Sequence, residues 1–277
     1  MYCYPKQTQF EKENTCFSMI DLITIAKAYN KWSSDICLNK KCIKANLKFP
    51  KISIKLSKIE LYNKIKEILS QLSPNEYDWI ELDFMESIKN PIIKENLMFF
   101  TFKPKDTKTH NTWLNTNNIN EIIVQYQEII NKENGINTFK FLGAQPSDIS
   151  HITKFNFSNL KKKYKKIAIV FNNDTHKNPG SHWNSCFIDN VNNTVELFDS
   201  LGKEPNIYIK HFLVNFKRYK FKWNEKKHQK EGTSCGIYAC YFIIKKLENK
   251  TFEEINREIL NEDFITKFRL SITRPYS

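Results

Sequence analysis

A cysteine near the end of the chain stands where a helix is expected to begin. Cys235 and Gly236 are followed directly by the apolar segment 237–247, and Gln229 lies six residues before the cysteine. A helix N-terminus carries partial positive charge and unpaired N–H groups, so it favours the thiolate, which is the form of cysteine that attacks carbonyl groups. The alternative is a packing residue, because free cysteine is among the most frequently buried residue types. The pattern makes Cys235 a candidate nucleophile.

A histidine and an aspartate upstream could complete a nucleophilic site with this cysteine. Apolar runs predict strands over 167–171, 182–189 and 194–200, joined as a β-meander. His182 begins one strand and Asp199 ends its antiparallel partner, so both fall at the same edge of the sheet. A carboxylate there can accept the imidazole N–H and orient the ring. Taken alone, Asp199 also fits a turn former and His182 a structural histidine.

Four sequence elements carry a resemblance to a known family. They are His182-Trp183, Asp199, Gln229-x5-Cys235-Gly236 and the upstream segment Trp113-Leu114-Asn115. In this order they resemble the ubiquitin-like-protein (SUMO) protease superfamily, which includes the adenovirus protease. Chain size, the His-Gln pair at 228–229 and the segments after the cysteine are similar to the polyprotein-processing cysteine proteases of African swine fever virus and other large DNA viruses. The resemblance covers about residues 111–269.

Two positions depart from that viral subgroup. Asp199 stands where the African swine fever virus enzymes carry asparagine, although the SUMO proteases have aspartate, and either residue can orient a histidine. Thr116 stands where aspartate is usual after Trp-Leu-Asn, and we expect it to cap a helix over 119–130. These departures concern the subgroup more than the mechanism.

The resemblance implies roles for the residues around the cysteine. Gln229 would aim its side-chain amide at the developing oxyanion, together with the backbone N–H of Cys235. Gly232 and Gly236 would let the loop bend sharply before the helix, with Gly236 at the substrate site. The alternative is an ordinary glycine-containing loop.

Two tryptophans are implied to bind the substrate. Trp183 and Trp113 are similar to the indoles that, in SUMO proteases, cover a narrow tunnel for the Gly-Gly end of the substrate. Such a tunnel leaves no room for a Cβ atom and therefore selects glycine. The alternative is that both tryptophans are core residues.

The predicted activity is that of a cysteine endopeptidase that cleaves after Gly-Gly. By resemblance, its protein substrates with Gly-Gly-x sites would be structural polyproteins processed during maturation of a large DNA virus. One alternative is a deconjugating protease that acts on isopeptide or C-terminal Gly-Gly bonds of SUMO or ubiquitin-like modifiers, and another is a binding module with an inactive site. The chemistry needs no metal or organic cofactor.

Seven cysteines, an odd number in a chain whose first residues lack a signal-peptide pattern, predict reduced thiols. We expect Cys186 and Cys240 to pack in the strand and helix that contain them. A metal cluster is the alternative for the remaining four, although their spacing is loose, namely Cys3, Cys16, Cys37 and Cys42.

The net charge of +13 favours polyanions or acidic partners. Lysines concentrate at 161–166 and 217–230, which predicts either a solvated lysine-rich surface or weak nucleic-acid binding, as viral relatives suggest. No apolar run reaches the length of a membrane span, and residues 1–13 are polar. We therefore expect a soluble intracellular protein without membrane contact, located in the host cytoplasm (virus factory) and the virion if it is viral.

The expected fold is α+β, with a papain-like cysteine protease core in which helices flank a central mixed, mostly antiparallel sheet. A helical N-terminal arm over 1–105 would precede the catalytic core over 106–277. The sheet would contain the segments near residues 167, 182, 195 and 220, with a helix over 207–217 before the last strand and the Cys235 helix across one face. Helices of the arm are expected at 17–32, 59–72 and 77–88, the last ended by Asn90-Pro91.

Overall fold

The computed structural model describes residues 2–5, 15–38, 49–109, 112–230 and 232–276. The chain divides into two compact units, one up to Lys103 and the other Pro104–Tyr276. The functional division into an arm and a catalytic core stays a prediction. The candidate site residues belong to the second unit.

The first unit is helical. Its α-helices are α1 (Met19–Leu38), α2 (Lys58–Leu69) and α3 (Pro91–Phe100), with two short 3-10 helices, Glu76–Glu81 and Asp83–Ser87, between α2 and α3. A buried cluster of apolar side chains that includes Phe17, Trp79 and Phe84 forms its core.

The segment 77–88 differs from the single helix expected there. Leu82 adopts an extended backbone conformation (φ −72°, ψ 151°), so the segment breaks into the two 3-10 helices. Asn90 and Pro91, expected only to end a helix, begin α3 instead. The Asn90 side chain accepts hydrogen bonds from Ile92 and Ile93 N–H, and proline is well suited to the first helical position because it has no N–H to satisfy.

The expectation of reduced thiols is wrong for one pair, because Cys3 and Cys16 form a disulfide. Cys3 lies in an isolated β-bridge with Phe102, and Cys16 lies just before α1 in the same core. Two cysteines brought together by packing can pair whether the total is odd or even. The Cys42 position and the Cys37 side chain lie outside the described residues.

The second unit is built on a mixed sheet. Among the described residues, this sheet has five strands in the order β1-β2-β3-β4-β5. The two central pairings, β2 with β3 and β3 with β4, are antiparallel, whereas β1 with β2 and β4 with β5 are parallel. The strands are β1 (Phe139–Pro146), β2 (Lys166–Asn172), β3 (Trp183–Asp189), β4 (Thr194–Phe198) and β5 (Lys220–Trp223). The expected α+β class, mixed sheet and meander are confirmed.

Strand β1 was not anticipated. It contains Gly143 and Pro146, and its register shifts between Phe141 and Ala144, so its sequence lacks the clean apolar run that marks β2.

Helices cover both faces of the sheet. They are α4 (Thr116–Asn134), α5 (Ile149–Ile152), α6 (Phe157–Lys163), α7 (Ile207–Leu213), α8 (Cys235–Leu247), α9 (Phe252–Arg257) and α10 (Glu262–Ile272), with a 3-10 turn, Val214–Phe216, after α7. Side chains alternate along β2, so Ala168 and Val170 face the core shared with α4 and α8. Ile167 and Ile169 face the opposite core, which α7 closes.

The start of α4 differs from the expectation. The cap is Asn115, whose side chain accepts from the N–H of Asn118 while the Asn118 side chain accepts from the N–H of Asn115. Thr116 is the first helical residue and does not cap. Asparagine is among the preferred N-cap residues, so the cap lies one residue earlier than expected, and the helix begins at Thr116 rather than at residue 119.

A buried ion pair anchors the beginning of the second unit. The Arg269 guanidinium donates to both carboxylate oxygens of Asp106, with Nε to Oδ1 at 2.8 Å and Nε to Oδ2 at 3.0 Å. Their side chains are only 4% and 1% exposed. Asp106, at the start of the predicted catalytic core, is therefore held inside the unit by α10.

We expect Asp106→Ala to lower the free energy of unfolding by about 3–5 kcal/mol, because it leaves a buried guanidinium without its carboxylate. The control is Glu253→Ala, which breaks the ion pair of Glu253 with Lys222, whose side chains are 51% and 39% exposed. That change should cost less than about 1 kcal/mol. Urea unfolding of the full chain measures both, and equal losses would contradict the assigned importance of the buried pair.

Candidate active site

Cys235 is the first residue of α8, and its side chain is buried among the core residues at 3% exposure. The preceding chain turns at Gly232, whose φ of +91° lies in the region that glycine adopts without strain. No acidic residue lies in the first helical turn to oppose an anion. The helix N-terminus therefore favours negative charge on the sulfur.

Gly236 has a different role from the one expected. It lies inside the helix with an ordinary φ, so it does not bend the loop. A Cβ atom at this position would lie 3.0 Å from Leu114 Cβ and 3.4 Å from Trp183 Cδ1. A side chain here would crowd both residues, so glycine suits the close approach of α8 to Leu114 and Trp183.

His182 and Asp199 meet at the same end of two neighbouring strands, as their positions in the sequence predict. His182 directly precedes β3 and Asp199 directly follows β4, and the antiparallel register pairs Ser185 with Phe198. His182 Nε2 and Asp199 Oδ1 are 2.7 Å apart, and both residues are buried. Since Nε2 is taken by the carboxylate, Nδ1 is the ring nitrogen that remains for the cysteine.

The electrostatics of His182 favour the imidazolium. Burial would lower its pKa, but hydrogen bonds to Asp199 and Cys235, and attraction to their negative charges, raise the pKa to about 9. The ring is therefore protonated at neutral pH when the cysteine is a thiolate. Such a pair has a nucleophile and a general acid ready before the substrate arrives.

Asn224 holds the backbone of Asp199 and was missed by sequence reasoning. It is completely buried; its Oδ1 accepts from Asp199 N–H at 2.7 Å, and its Nδ2 donates to Asp199 O at 2.6 Å. The Asp199 carboxylate is held as well, since Oδ1 accepts from Leu201 N–H at 2.8 Å. An asparagine just after a strand usually indicates a turn, so no pattern marks Asn224.

Gln229 lies against the loop that leads to the cysteine. It is 4% exposed, its backbone N–H donates to Ser200 O, and its side-chain Nε2 donates to Gly232 O at 2.9 Å. The structure thus places the amide nitrogen on the side of the Cys235 loop.

His228, the other histidine near the loop, has different partners. Its Nε2 lies 3.1 Å from Asn256 Oδ1, its ring packs on Phe198, and burial lowers its pKa. His182 is therefore the histidine placed to act on Cys235.

Trp183 and Trp113 line one cavity of ≈ 480 Å³. Trp183 is buried and its Nε1 donates to Leu114 O at 2.8 Å, whereas Trp113 is 43% exposed and is not a core residue. Leu114 also lines the cavity, and Gly236 does not. The remaining wall is mostly polar and includes Asn172, Asp174 and His176.

The other free cysteines of the described part of the chain are inert by position. Cys186 in β3 and Cys240 in α8 are fully buried, as expected, and burial raises the pKa of both thiols. Among the described residues, no group of three or more His, Cys, Asp or Glu side chains is arranged to hold a metal ion. No described helix has the length and apolar character needed to cross a bilayer.

Comparisons with known proteins point to a protease family. The model of the Ulp1 protease family, C-terminal catalytic domain, matches residues 153–275, which include His182, Asp199, Gln229 and Cys235. A thiol protease of Acanthamoeba polyphaga mimivirus is 33% identical over 273 residues, covering 91% of this chain and 86% of the relative. A cysteine protease of African swine fever virus is 24% identical over 126 residues, covering 42% of this chain and 46% of that protein.

The fold is shared with solved structures. A crystal structure of the African swine fever virus protease matches with a TM-score of 0.62 at 16% identity, covering 99% of this chain and 95% of that chain. The predicted resemblance is confirmed by identity along most of the mimivirus relative and by the family match over the site. The chain belongs to the Ulp1 protease family of cysteine proteases.

Proposed function

We propose that Cys235 is the nucleophile of this protease, His182 its general base and acid, Asp199 the residue that orients the imidazole, and Gln229 an oxyanion donor. One observation carries the proposal. The buried His182 Nε2 lies 2.7 Å from Asp199 Oδ1, and although burial lowers the pKa of the ring, its interactions with Asp199 and Cys235 raise that pKa to about 9.

The reaction follows from these groups. The Cys235 thiolate attacks the carbonyl carbon of the scissile bond, and the resulting oxyanion accepts hydrogen bonds from the Cys235 backbone N–H and the Gln229 amide. The C–N bond then breaks as the His182 imidazolium protonates the leaving amine, which leaves a thioester. Neutral His182 next takes a proton from water as the hydroxide attacks the thioester carbonyl. The C–S bond then breaks, which restores the thiolate, and the released carboxylic acid loses its proton to solvent.

We propose that the bond follows Gly-Gly and that the cavity beside Trp183 receives the glycines. Trp183 is held by its hydrogen bond to Leu114 O and by contact with α8, so the indole is a rigid wall. We propose that exposed Trp113, which lines the same cavity, covers the other side of a bound peptide. A peptide covered by indoles on both sides would have little room for a Cβ atom, which favours glycine.

Two substrate classes fit such a site. Processing of structural polyproteins during virion maturation is supported by the viral origin of the relatives, one of which matches most of the chain. Removal of ubiquitin-like modifiers is supported by the description of one African swine fever virus relative as a SUMO-1 cysteine protease. We favour the first, which would place the protease in the host cytoplasm and the virion.

Weak nucleic-acid binding stays a prediction. Part of the basic run at 161–166 already bonds within the chain. Lys161 Nζ donates to Asn215 O at 2.5 Å, and Lys166 Nζ donates to Asn249 Oδ1 at 2.9 Å. These two ammonium groups are therefore less available to phosphate groups than unbonded lysines would be.

The substrate class can be separated with three probes and matched variants. A fluorogenic Gly-Gly peptide should be cleaved by the wild type, far less if it carries Gly-Ala, and not at all by Cys235→Ala. Cys240→Ala, which changes a buried thiol in the same helix, should keep most activity. SUMO and ubiquitin with C-terminal reporters are the other two probes.

If the wild type cleaves only the SUMO or ubiquitin reporters, the proposed substrate class would be ubiquitin-like conjugates rather than structural polyproteins. Absence of Cys235-dependent cleavage of every probe would contradict the proposed function and favour a binding module with an inactive site.

The pH dependence tests the role of Asp199. Activity needs the imidazolium, so it should be retained through neutral pH and fall as pH rises through about 9. In Asp199→Ala the contacts that raise the pKa are partly lost while burial still lowers it, so the alkaline fall should move to lower pH and kcat should drop roughly 100-fold or more. Asp199→Asn keeps a hydrogen-bond acceptor without the charge. Its kcat and the pH of its alkaline fall should lie between those of the wild type and Asp199→Ala. An unmoved alkaline limb in Asp199→Ala would contradict the assignment.

A further inference from the structure

Ser200 connects Asp199, the carboxylate that binds His182, to Gln229, the proposed oxyanion donor. It directly follows Asp199 at the end of β4 and is 1% exposed. Its hydroxyl donates to Gln229 Oε1 at 2.7 Å, and its carbonyl accepts from the backbone N–H groups of His228 and Gln229, each at 2.9 Å. Three hydrogen bonds therefore run from this one residue to the 228–229 segment.

The contacts of the Gln229 amide are satisfied in one orientation. A glutamine amide has an acceptor end and a donor end, and only the nitrogen can stabilise an oxyanion. Gly232 O can only accept, so it requires the nitrogen on its side. The Ser200 hydroxyl then serves the oxygen end and fixes where the amide lies. If the amide turned over, two oxygen acceptors, Oε1 and Gly232 O, would face each other.

Ser200 itself is held in place by the strand end. Asn224 bonds the N–H and the carbonyl of Asp199. Asn224 also donates to Lys226 O at 2.9 Å, which ties the chain leading to Gln229 to the same point. Two adjacent residues, Asp199 and Ser200, therefore set the distance between the carboxylate that binds His182 and the Gln229 amide.

We infer that Ser200 is a positioning residue that holds the Gln229 amide with its nitrogen toward the Cys235 loop. The inference rests on the proposed function, since it assigns a partner to the oxyanion donor of that reaction. Ser200 does not touch His182 or Cys235 in this role, so its loss should impair stabilisation of the tetrahedral intermediate and leave the thiolate and imidazolium unchanged.

The experiment uses the full chain with Ser200→Ala, Gln229→Ala and the double variant. The control is Ser185→Ala, because Ser185 is also fully buried in this sheet and its hydroxyl has no hydrogen-bond partner among the described residues. Cleavage of the Gly-Gly peptide, or of whichever probe the wild type cleaves, gives kcat and KM. The rate of Cys235 alkylation by iodoacetamide, followed by peptide mass mapping across pH, measures the reactivity of the thiolate. Alkylation forms no tetrahedral intermediate, so it does not depend on the oxyanion donors.

Ser200→Ala should lower kcat about 10- to 100-fold and leave KM little changed. This loss is no larger than that expected for removing one oxyanion donor outright. The double variant should be no slower than Gln229→Ala, because the hydroxyl acts only through the amide. Alkylation of Cys235 should keep the wild-type rate and pH profile, and Ser185→Ala should keep wild-type turnover.

Three results would overturn the inference. The first is a kcat of Ser200→Ala equal to that of the wild type. The second is a double variant whose loss of kcat is the product of the two single losses. The third is a changed pH profile of Cys235 alkylation in Ser200→Ala, which would place the effect on the Cys235–His182 pair. A wild type without Cys235-dependent turnover would overturn the proposed function and this inference with it. An active wild type with an equally active Ser200→Ala would overturn the inference alone.

Discussion

The hydrogen bond between His182 Nε2 and Asp199 Oδ1 is the contact on which the arrangement of the site depends. At 2.7 Å, and with both groups buried, it fixes the plane of the imidazole, leaves Nδ1 for Cys235 and offsets the burial that would otherwise keep the ring neutral. A buried imidazolium is costly without a carboxylate beside it. The chemistry proposed for the cysteine therefore requires that the ends of β3 and β4 stay in register.

Several local structures keep that register. Side chains of β2, β3 and β4 are buried on both faces, so a shift by one residue would exchange the side chains of the two cores and disrupt the packing of both. Asn224 clamps the backbone of Asp199, and the absence of a Cβ at Gly236 lets α8 begin against Leu114 and Trp183. Cys235, His182 and the wall of the cavity are thus positioned by buried contacts.

The parts of the fold that follow from strong local patterns were predictable. Long apolar runs in the sequence mark β2 and α8, and the predicted meander already brings His182 beside Asp199. Features that depend on distant packing were not. Strand β1 is interrupted by glycine and proline, and Asn224 has the sequence appearance of a turn residue. Gly236 was expected to bend a loop, although its role in contact with Leu114 follows only from the packing of α8.

The central claim is that Asp199 and Cys235 keep His182 protonated, and a pH titration of the His182 ring by NMR in the full chain tests it most directly. Loss of one signal in His182→Gln would assign the resonance among the six histidines. The predicted result is an imidazolium through neutral pH that loses its proton near pH 9. Titration near the ordinary histidine value of about 6.5, or below it, would contradict the account.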